Sequence, residues 1–589
     1  MDICPDTNKK YFTLRQIIAY FLLLLPLAAY PLVWMRPFLG KVPLWGDAPL
    51  INGCVTGFLA LAVILLYPER IKKLFTKSPS RYWIIALTAA AILSAVNHLL
   101  FPGTVFLLLG AMQILLLPLA GVALSPELRR AVLPCGAITC AILVIFTAAG
   151  DRYLTGFTGN WNWNLTMICA TIPAAAIWLI PKKHPFIVAT AINAVIILSV
   201  TIALPEIAPK GTVAALILAT LIAPVIRKIN RERRFTALIG VMLAVGFLFF
   251  STVSSPISDQ VNDSRFQLWK SSLNLAKDNI FTGCGPGRFE TAVRPHITKE
   301  YFFTEFAAPR HPHPHNELLL YTSEFGITGA IIIILFCASA LKNASHRRDQ
   351  ASRWLAWLFI LLILHGQLDV LLSTPLAGCW FLLAGGALAA RGTGKQEVKK
   401  SKLRLLLAVA SAVAAVMISF NLFVSGLYLR EAKLLMLEHK NLDALDRLSK
   451  SSKHFPNPEA RYIAASSALF DLKMPHIAIQ ELVKLENDFC GGYLHSYGLT
   501  ARSLTSLGRY KEAKEYFDLE LKAFPYSALY AGFEYAMLNL ANAPVFDISV
   551  SRSRLARNLE LRGLTLKSEN LGQLDHDFDD RPLKWSKLK

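Results

Sequence analysis

Residues 103–124, GTVFLLLGAMQILLLPLAGVAL, contain no charged side chain, and the fold class follows from this stretch. A helix of this length can cross about 30 Å of hydrocarbon. Taken alone, the run could equally be a buried helix of a water-soluble protein. Similar runs recur through roughly the first 425 residues, however, and this repetition predicts a bundle of membrane-spanning helices.

The composition of the chain agrees with a membrane location. Hydrophobic residues make up 54% and charged residues 17% of the 589 positions, a balance that a water-soluble enzyme of this size seldom shows. We predict an all-α fold, a polytopic membrane helix bundle of about thirteen transmembrane helices followed by a helical-repeat domain. The approximate limits of the spans are 16–34, 50–67, 82–100, 104–124, 131–149, 164–180, 185–204, 211–226, 236–253, 317–340, 354–372, 376–390 and 404–427.

Lysine and arginine residues orient the predicted bundle. If the N-terminus is cytoplasmic, every inner segment contains several of them, whereas the short outer loops contain only Arg36, Lys41, Arg152 and Lys210. This asymmetry obeys the positive-inside rule and, with thirteen spans, places the C-terminus on the outer side. The net charge of +21 then reflects residues that face the anionic inner leaflet, so no nucleic-acid partner is expected.

Beyond residue 427 the sequence becomes amphipathic and repetitive. Ala444, Ala478 and Ala513 are 34 and 35 residues apart, which is the period of tetratricopeptide repeats. In the last unit, Phe517 and Pro525 occupy the aromatic and terminating positions of a helix-turn-helix. About three repeats are therefore predicted, with an unrelated helical bundle as the alternative. Such a domain is expected to bind a protein or another partner.

These patterns divide the chain into four predicted regions. They are N-terminal transmembrane helices (1–150), a membrane domain (151–427) with a large exported loop (254–316), helical repeats (428–545) and an irregular tail (546–589).

The exported loop is where chemistry is expected. Trp269, Leu273 and Ala276 share one helical face, which predicts a short amphipathic helix with Arg265 near its start. The glycines of Gly283-Cys-Gly285-Pro-Gly287 predict a tight turn back toward the membrane. As a phosphate-binding signal this turn is weak, because it follows no strand and matches neither nucleotide fingerprint.

Three histidines end the loop in the run His311-Pro-His313-Pro-His315-Asn316-Glu317. No carboxylate or thiol at ligand spacing completes a zinc site, so no metal is expected. His311 and His313 are expected at the surface. Within the eleventh span, His365 and Asp369 lie four residues apart on one helical face, which predicts a polar contact inside the bundle.

The order of motifs resembles the O-antigen ligase and polymerase superfamily over roughly residues 150–390. The strong part is Arg265, then Gly283-x-Gly285-x-Gly287-x-Phe289, then His315-Asn316-Glu317-Leu318-Leu319, then Glu324-x-Gly326-x-x-Gly329 entering a span. Two weaker matches are Gly159-Asn160-Trp161-Asn162 and Lys210-Gly211. The exported repeat domain is similar to that of the protein O-oligosaccharyltransferase branch.

The resemblance implies a reaction at the periplasmic face of a bacterial inner membrane. A glycan would pass from an undecaprenyl-pyrophosphate donor to a hydroxyl of lipid A core, of a glycan chain or of a protein, with inversion and without metal or cofactor. His315 would be the general base and Arg265 would bind the pyrophosphate. Further substrate-binding candidates are Lys210, Arg288, Arg310, Asn316 and Asn160.

Other roles and other classes of protein remain open from the sequence. Arg265 could form a structural ion pair with Asp259 or Asp263, His315 could be a loop cap, and a lysine such as Lys210 often extends to the membrane interface. A polysaccharide transporter or flippase would also explain the spans, although it should show internal repeats that we do not detect. A non-catalytic membrane scaffold for the repeat domain is the third possibility.

Overall fold

The computed structural model describes most of the chain from the predicted fifth span onward. The described residues are 59–66, 116–122, 126–148, 161–180, 185–203, 210–228, 260–285, 288–302, 313–344, 349–369, 375–389, 401–454, 458–489 and 493–560. Within these ranges the regular structure is helical and contains no β-strand.

Two helical stretches, 59–66 and 116–122, come first among the described residues. Numbered from residue 126 onward, ten further helices precede the C-terminal region. They are α1 (Pro126–Ala148), α2 (Trp161–Leu179), α3 (Pro185–Ala203), α4 (Lys210–Lys228), α5 (Gln260–Asp278), α6 (Phe289–Ala292), α7 (Lys299–Phe302), α8 (Glu317–Ala344), α9 (Gln350–Gly366) and α10 (Pro375–Ala389), with a 3₁₀ turn at Arg294–His296 between α6 and α7. Eight follow: α11 (Lys402–Leu437), α12 (Asn441–His454), α13 (Pro458–Phe470), α14 (Pro475–Phe489), α15 (Ser496–Ser506), α16 (Tyr510–Ala523), α17 (Ala528–Leu540) and α18 (Val545–Glu560).

Helix α9 is the centre of the membrane-domain bundle. It contacts α1, α2, α4, α8 and α10, and nearly all of its side chains are buried, because it is apolar around its whole circumference. Its Trp354 donates a hydrogen bond from Nε1 to the carbonyl of Ala170 at 3.0 Å and packs edge-on against Trp380. The beginning of α9 is therefore held in a defined place relative to α2.

Two helices of the described part, α8 and α11, are long and apolar enough to cross a membrane. The number of thirteen spans stays a prediction. Outward-facing apolar residues support a lipid environment, since a water-soluble protein rarely leaves such rows exposed. On α3 and α11 these rows include Ile187, Val195, Leu198, Ile202, Leu406, Val413, Val416, Met417 and Phe420.

Helix α11, one of the two candidate spans, continues without a break into the C-terminal helices. Its 36 residues span about 54 Å, whereas about 20 residues suffice to cross the bilayer. Near its C-terminal end, Leu429 and Ala432 are fully buried against α12 and α13, and the buried ammonium of Lys433 pairs with Glu459. The C-terminal helices therefore continue directly from the last span.

Helices α12 to α18 each pack against the next helix along the chain. Ala444, Ala478 and Ala513 lie near the starts of α12, α14 and α16 and are fully buried, so small side chains stand where helices approach closely. The assignment of these pairs to the tetratricopeptide class stays a prediction. The predicted irregular tail from residue 546 is wrong at its beginning, because Val545–Glu560 form α18, which buries Leu555 and Leu559 against α17.

Candidate active site

The helix predicted after Arg265 is present as α5 and packs along α8. Trp269 and Ala276 are buried as predicted, but Leu273 is 43% exposed. The buried stripe instead follows Leu268, Ser272 and Leu275, and the two leucines pack in one cluster with Phe289 and Leu320. Leu273 lies outside this stripe because the buried face of α5 is the one that packs on α8, a helix that is distant in the sequence.

The glycine turn joins α5 to a break in α8. The amide of Cys284 donates to the carbonyl of Ser323 at 2.8 Å, and that of Gly285 donates to Glu324 at 3.0 Å. Both carbonyls are available because Gly326, with φ 69° and ψ −176°, interrupts the helical ladder of α8. The amide of Ile327 in turn donates to Ile280 at 2.8 Å. Glycine therefore allows two backbone segments to approach closely at this turn.

Gly283 has φ 68°, and a Cβ atom there would overlap the backbone of Glu324. We expect Gly283→Ala to lower the unfolding temperature of the detergent-solubilised protein by more than about 5 °C. Alanine would be strained by the left-handed backbone conformation and would also clash with the backbone of Glu324, and both costs destabilise the folded state. Gly508→Ala is the matched control: Gly508 has φ 73° but open space around its α-carbon, so only the strain remains and the loss should be about half as large. If differential scanning fluorimetry showed the same fall in unfolding temperature for both variants, the close approach of Gly283 to the backbone of Glu324 would not matter for stability.

The histidine run is pinned to α5. Trp269 donates from Nε1 to the carbonyl of Pro314 at 2.7 Å, and both residues are buried. His313, predicted at the surface, instead packs with its ring centroid 5.8 Å from Trp163 and 4.7 Å from His315. Burial lowers the pKa of the His313 imidazole to about 3, so this ring is neutral at physiological pH. His311 lies outside the described residues.

His315 is oriented by a buried carboxylate. Its Nδ1 lies 3.0 Å from Oδ1 of Asp369, which is 6% exposed, whereas the His315 side chain is 32% exposed. An ionised carboxylate can only accept, so Nδ1 carries the proton and Nε2 keeps its lone pair. The backbone of His315 has φ 53°, a left-handed conformation that histidine tolerates better than most residues. The result is a partly exposed imidazole with its basic nitrogen available.

Asn316 is fully used in positioning. Its Oδ1 accepts a hydrogen bond from the amide of Leu319 at 3.0 Å, which caps the N-terminus of α8, and its Nδ2 donates to the carbonyl of Gln367 at 3.1 Å. This one side chain therefore ties the start of α8 to the turn after α9. His315 directly precedes Asn316, and Asp369 lies two residues after Gln367. The hydrogen bond from Asn316 to Gln367 therefore helps to keep His315 and Asp369 close together.

His365 and Asp369 are both buried and interact electrostatically, as the spacing of the two residues predicted. The hydrogen bond of the His365 side chain goes to another helix. Nδ1 of His365 lies 3.0 Å from Oγ1 of Thr166, which lies 2.8 Å from Oγ1 of Thr212. This buried chain links α9 to α2 and α4 beneath the His315–Asp369 pair. Asp369 was in reach of His365 on an ideal helix, but α9 ends at Gly366, and the turn that follows directs the carboxylate to His315.

The positive charge of Arg265 acts on Asp369, the residue that pairs with His315. Its half-buried guanidinium interacts electrostatically with Asp369 and with His365. Arg265, His315 and Asp369 therefore belong to one neighbourhood, although they come from α5, the start of α8 and the end of α9. Of the acidic residues that could compete for Arg265, Asp259 lies outside the described residues and the side chain of Asp263 is not described.

The other predicted site residues are less well defined. Arg288 is half-buried and acts electrostatically on Cys284 in the glycine turn. Lys210 is the first residue of α4, the helix that also carries Thr212, but its side chain is not described. Asn160 and Arg310 lie outside the described residues. Within the described part of the chain, no three histidine, cysteine or carboxylate side chains converge to hold a metal.

Arg294 was missed by the sequence reasoning. It is only 3% exposed, its Nη1 donates to the carbonyl of Leu494 at 2.9 Å, and its guanidinium lies 5.2 Å from the centre of the Phe524 ring. It also lies 3.8 Å from Glu290. Arg294 thus joins the segment between α5 and α8 to the turns that precede α15 and α17. No local pattern marks this connection, because Leu494 and Phe524 are 200 and more positions away from Arg294.

Comparison with known proteins agrees with the motifs. Residues 164–334 match the O-antigen ligase family, a stretch that begins in α2 and ends within α8 and so contains Arg265, the glycine turn, His315 and Asn316. Asp369 and the C-terminal helices lie beyond the matched stretch. Neither a curated protein nor a solved structure matches the chain.

Proposed function

We propose that this protein, whose residues 164–334 form an O-antigen ligase domain, transfers a glycan from an undecaprenyl-pyrophosphate donor to an acceptor hydroxyl. The domain supports a membrane glycosyltransferase of this superfamily; donor, acceptor and residue roles are our proposal. One observation carries it: His315 Nδ1 lies 3.0 Å from the buried carboxylate of Asp369, and the charge of Arg265 acts on the same carboxylate. This geometry supports an oriented base next to an anion-binding group.

In the proposed step, the acceptor hydroxyl attacks the anomeric carbon of the donor sugar. Nε2 of His315 takes the hydroxyl proton as the new C–O bond forms. The resulting imidazolium is stabilised by Asp369, which also holds the tautomer that leaves Nε2 free. Because attack is direct, the configuration at the anomeric carbon inverts in one displacement.

The bond from the anomeric carbon to the pyrophosphate oxygen breaks in the same step, and its electron pair leaves with the phosphate. The guanidinium of Arg265 would stabilise this developing charge with paired N–H donors. Lys210, Arg288 and Arg310 are further candidates for the remaining phosphate charge. The products are the glycosylated acceptor and undecaprenyl pyrophosphate, and His315 then releases its proton to water.

We further propose that the site and the C-terminal helices lie on the periplasmic side of a bacterial inner membrane, with the N-terminus cytoplasmic. The contact between Arg294 and Leu494 supports one part of this topology, namely that the loop and the C-terminal helices lie on the same side. Two segments that touch must lie on the same side, so an even number of spans must separate the loop from α12. The predicted spans in that interval number four, at 317–340, 354–372, 376–390 and 404–427.

Deleting the gene in its host tests the function and the acceptor together. Loss of glycan attached to lipid A core, a collapsed ladder of chain lengths, or loss of glycoprotein would identify ligation, polymerisation or protein transfer, respectively. Complementation with His315→Ala and Arg265→Ala should fail to restore the product while the variants accumulate in the membrane at normal levels. Full restoration by both would leave only a scaffold role for this protein.

Asp369→Asn tests the orienting carboxylate. We expect kcat for glycan transfer to fall by about 10²- to 10⁴-fold, because the neutral amide neither stabilises the imidazolium nor enforces the required tautomer. Transfer would be measured with purified enzyme and a fluorescent acceptor. Asp446→Asn, which removes an exposed carboxylate on α12, should leave kcat within about twofold. A normal rate for Asp369→Asn would mean that the 3.0 Å contact is only structural.

A further inference from the structure

A polar cleft of about 520 Å³ lies where the exported loop meets the C-terminal helices. It does not include His315 or Arg265, so it is distinct from the candidate active site. We call it the junction cleft. It is lined by Asn274, Lys277, Asp278, Pro295, His296, Ile297, Thr298, Lys299 and Tyr526. Its volume is in the range of small-ligand sites.

The two sides of the junction cleft are held in fixed positions. On the loop side, the amide of Thr298 donates a hydrogen bond to Oγ of Ser271 at 3.1 Å, and the Thr298 hydroxyl donates to Oε1 of Gln267 at 3.2 Å. On the other side, Tyr526 stands between Phe524, which lies against the guanidinium of Arg294, and Ser527, which caps α17. The cleft is therefore a built feature of the contact between the two regions.

The charges in the junction cleft favour an anion. Asp278 lies 3.6 Å from Nε2 of His296, whereas neither Lys277 nor Lys299 has an ion-pair partner among the described residues. Both lysine side chains are exposed to the cleft. Among the described lining residues, two ammonium groups therefore stand against the single carboxylate of Asp278, and they provide point charges for a carboxylate or a phosphate.

The remaining lining favours a sugar over a lipid tail or an apolar peptide. The side-chain amide of Asn274 suits ring hydroxyls, and the flat face of the Tyr526 ring suits the C–H face of a pyranose. Ile297 and Pro295 alone are too little apolar surface for an acyl chain or for the side-chain anchors of a bound helix.

We propose that the junction cleft binds an acidic sugar of the acceptor glycan, with Lys277 and Lys299 contacting its carboxylate or phosphate and Tyr526 packing on its ring. The assignment to the acceptor rests on the proposed function. Asn274 is nine residues after Arg265 on α5, about 13 Å along the helix axis. An acceptor held there can extend its next sugars toward His315, while the donor lipid remains at the membrane.

Binding to the full-length protein in detergent tests the cleft without any turnover. The probes are cellobiouronic acid and cellobiose, which differ only in one carboxylate, measured by isothermal titration calorimetry. We expect the acid to bind at least about tenfold more tightly than the neutral sugar. The double variant Lys277→Gln/Lys299→Gln should remove this preference, and Tyr526→Ala should weaken both sugars. Lys270→Gln, an exposed lysine on the same helix outside the cleft, should change neither affinity.

Several results would overturn the proposal. They are equal affinities for the two sugars, no effect of the double variant, competition by inorganic phosphate at the same concentration as the acid, or tighter binding of an acidic peptide with the same lysine dependence. His315→Ala separates this proposal from the catalytic one, because it should bind the acid like the wild type. If transfer activity proves absent altogether while that binding persists, only the catalytic proposal fails.

Discussion

His315→Asn is expected to lower the rate of glycan transfer by about 10²- to 10⁴-fold, because it removes the imidazole nitrogen that takes the acceptor proton in the proposed step. Asparagine is chosen because it tolerates the left-handed backbone that His315 adopts at φ 53°. The variant should therefore fold normally and still bind the donor. The measurement is single-turnover transfer by the purified enzyme with a saturating lipid-linked donor.

The control for this experiment is His439→Asn. His439 has φ 59° and lies exposed in the turn between α11 and α12, so it shares the backbone conformation but not the chemistry. Its rate should equal that of the wild type. If His315→Asn retained more than about a tenth of the wild-type rate, the loop-cap interpretation of His315 would be preferred over general-base catalysis.

Arg265→Ala should lower the rate by about 10²- to 10³-fold, the usual cost of losing one group that stabilises transition-state charge. Arg265→Lys should recover only part of this loss, since an ammonium keeps the charge but cannot make the paired hydrogen bonds of a guanidinium. The measurement is the same single-turnover assay, followed by release of undecaprenyl pyrophosphate. Lys270→Ala on the exposed side of α5 is the control and should leave the rate unchanged.

The same assay separates the two roles of Arg265. If the arginine served mainly as an ion-pair partner of Asp259 or Asp263, then Asp259→Asn or Asp263→Asn would reproduce the loss and Arg265→Lys would be nearly normal. A phosphate-binding role predicts the opposite pattern: both asparagine variants stay active and the lysine variant is impaired. The membrane level of each variant is compared by immunoblot so that unstable protein is not mistaken for inactive protein.

Local patterns predicted much of the candidate site. The helix after Arg265, the left-handed glycines at 283 and 285 and the buried alanines of the C-terminal helices are confirmed. Each of these depends on residues within a few turns of one another, where helical periodicity and backbone sterics act directly. The predictions for Leu273 and His313 were wrong for the opposite reason. Whether these two side chains are buried depends on helices that are distant in the sequence.

The sequence by itself indicated a helical membrane protein, because the length of an apolar run is set by the thickness of a bilayer. It also indicated the glycine turn, because few residues other than glycine adopt the backbone angles that such a turn requires. It also identified His315 and Arg265 as candidates. Only the tertiary structure decided their partners. Asp369 meets His315 across 54 residues because α9 ends at Gly366, and Arg294 meets Leu494 across 200. Contacts at such separations arise from helix packing and chain turns, and no local periodicity encodes them.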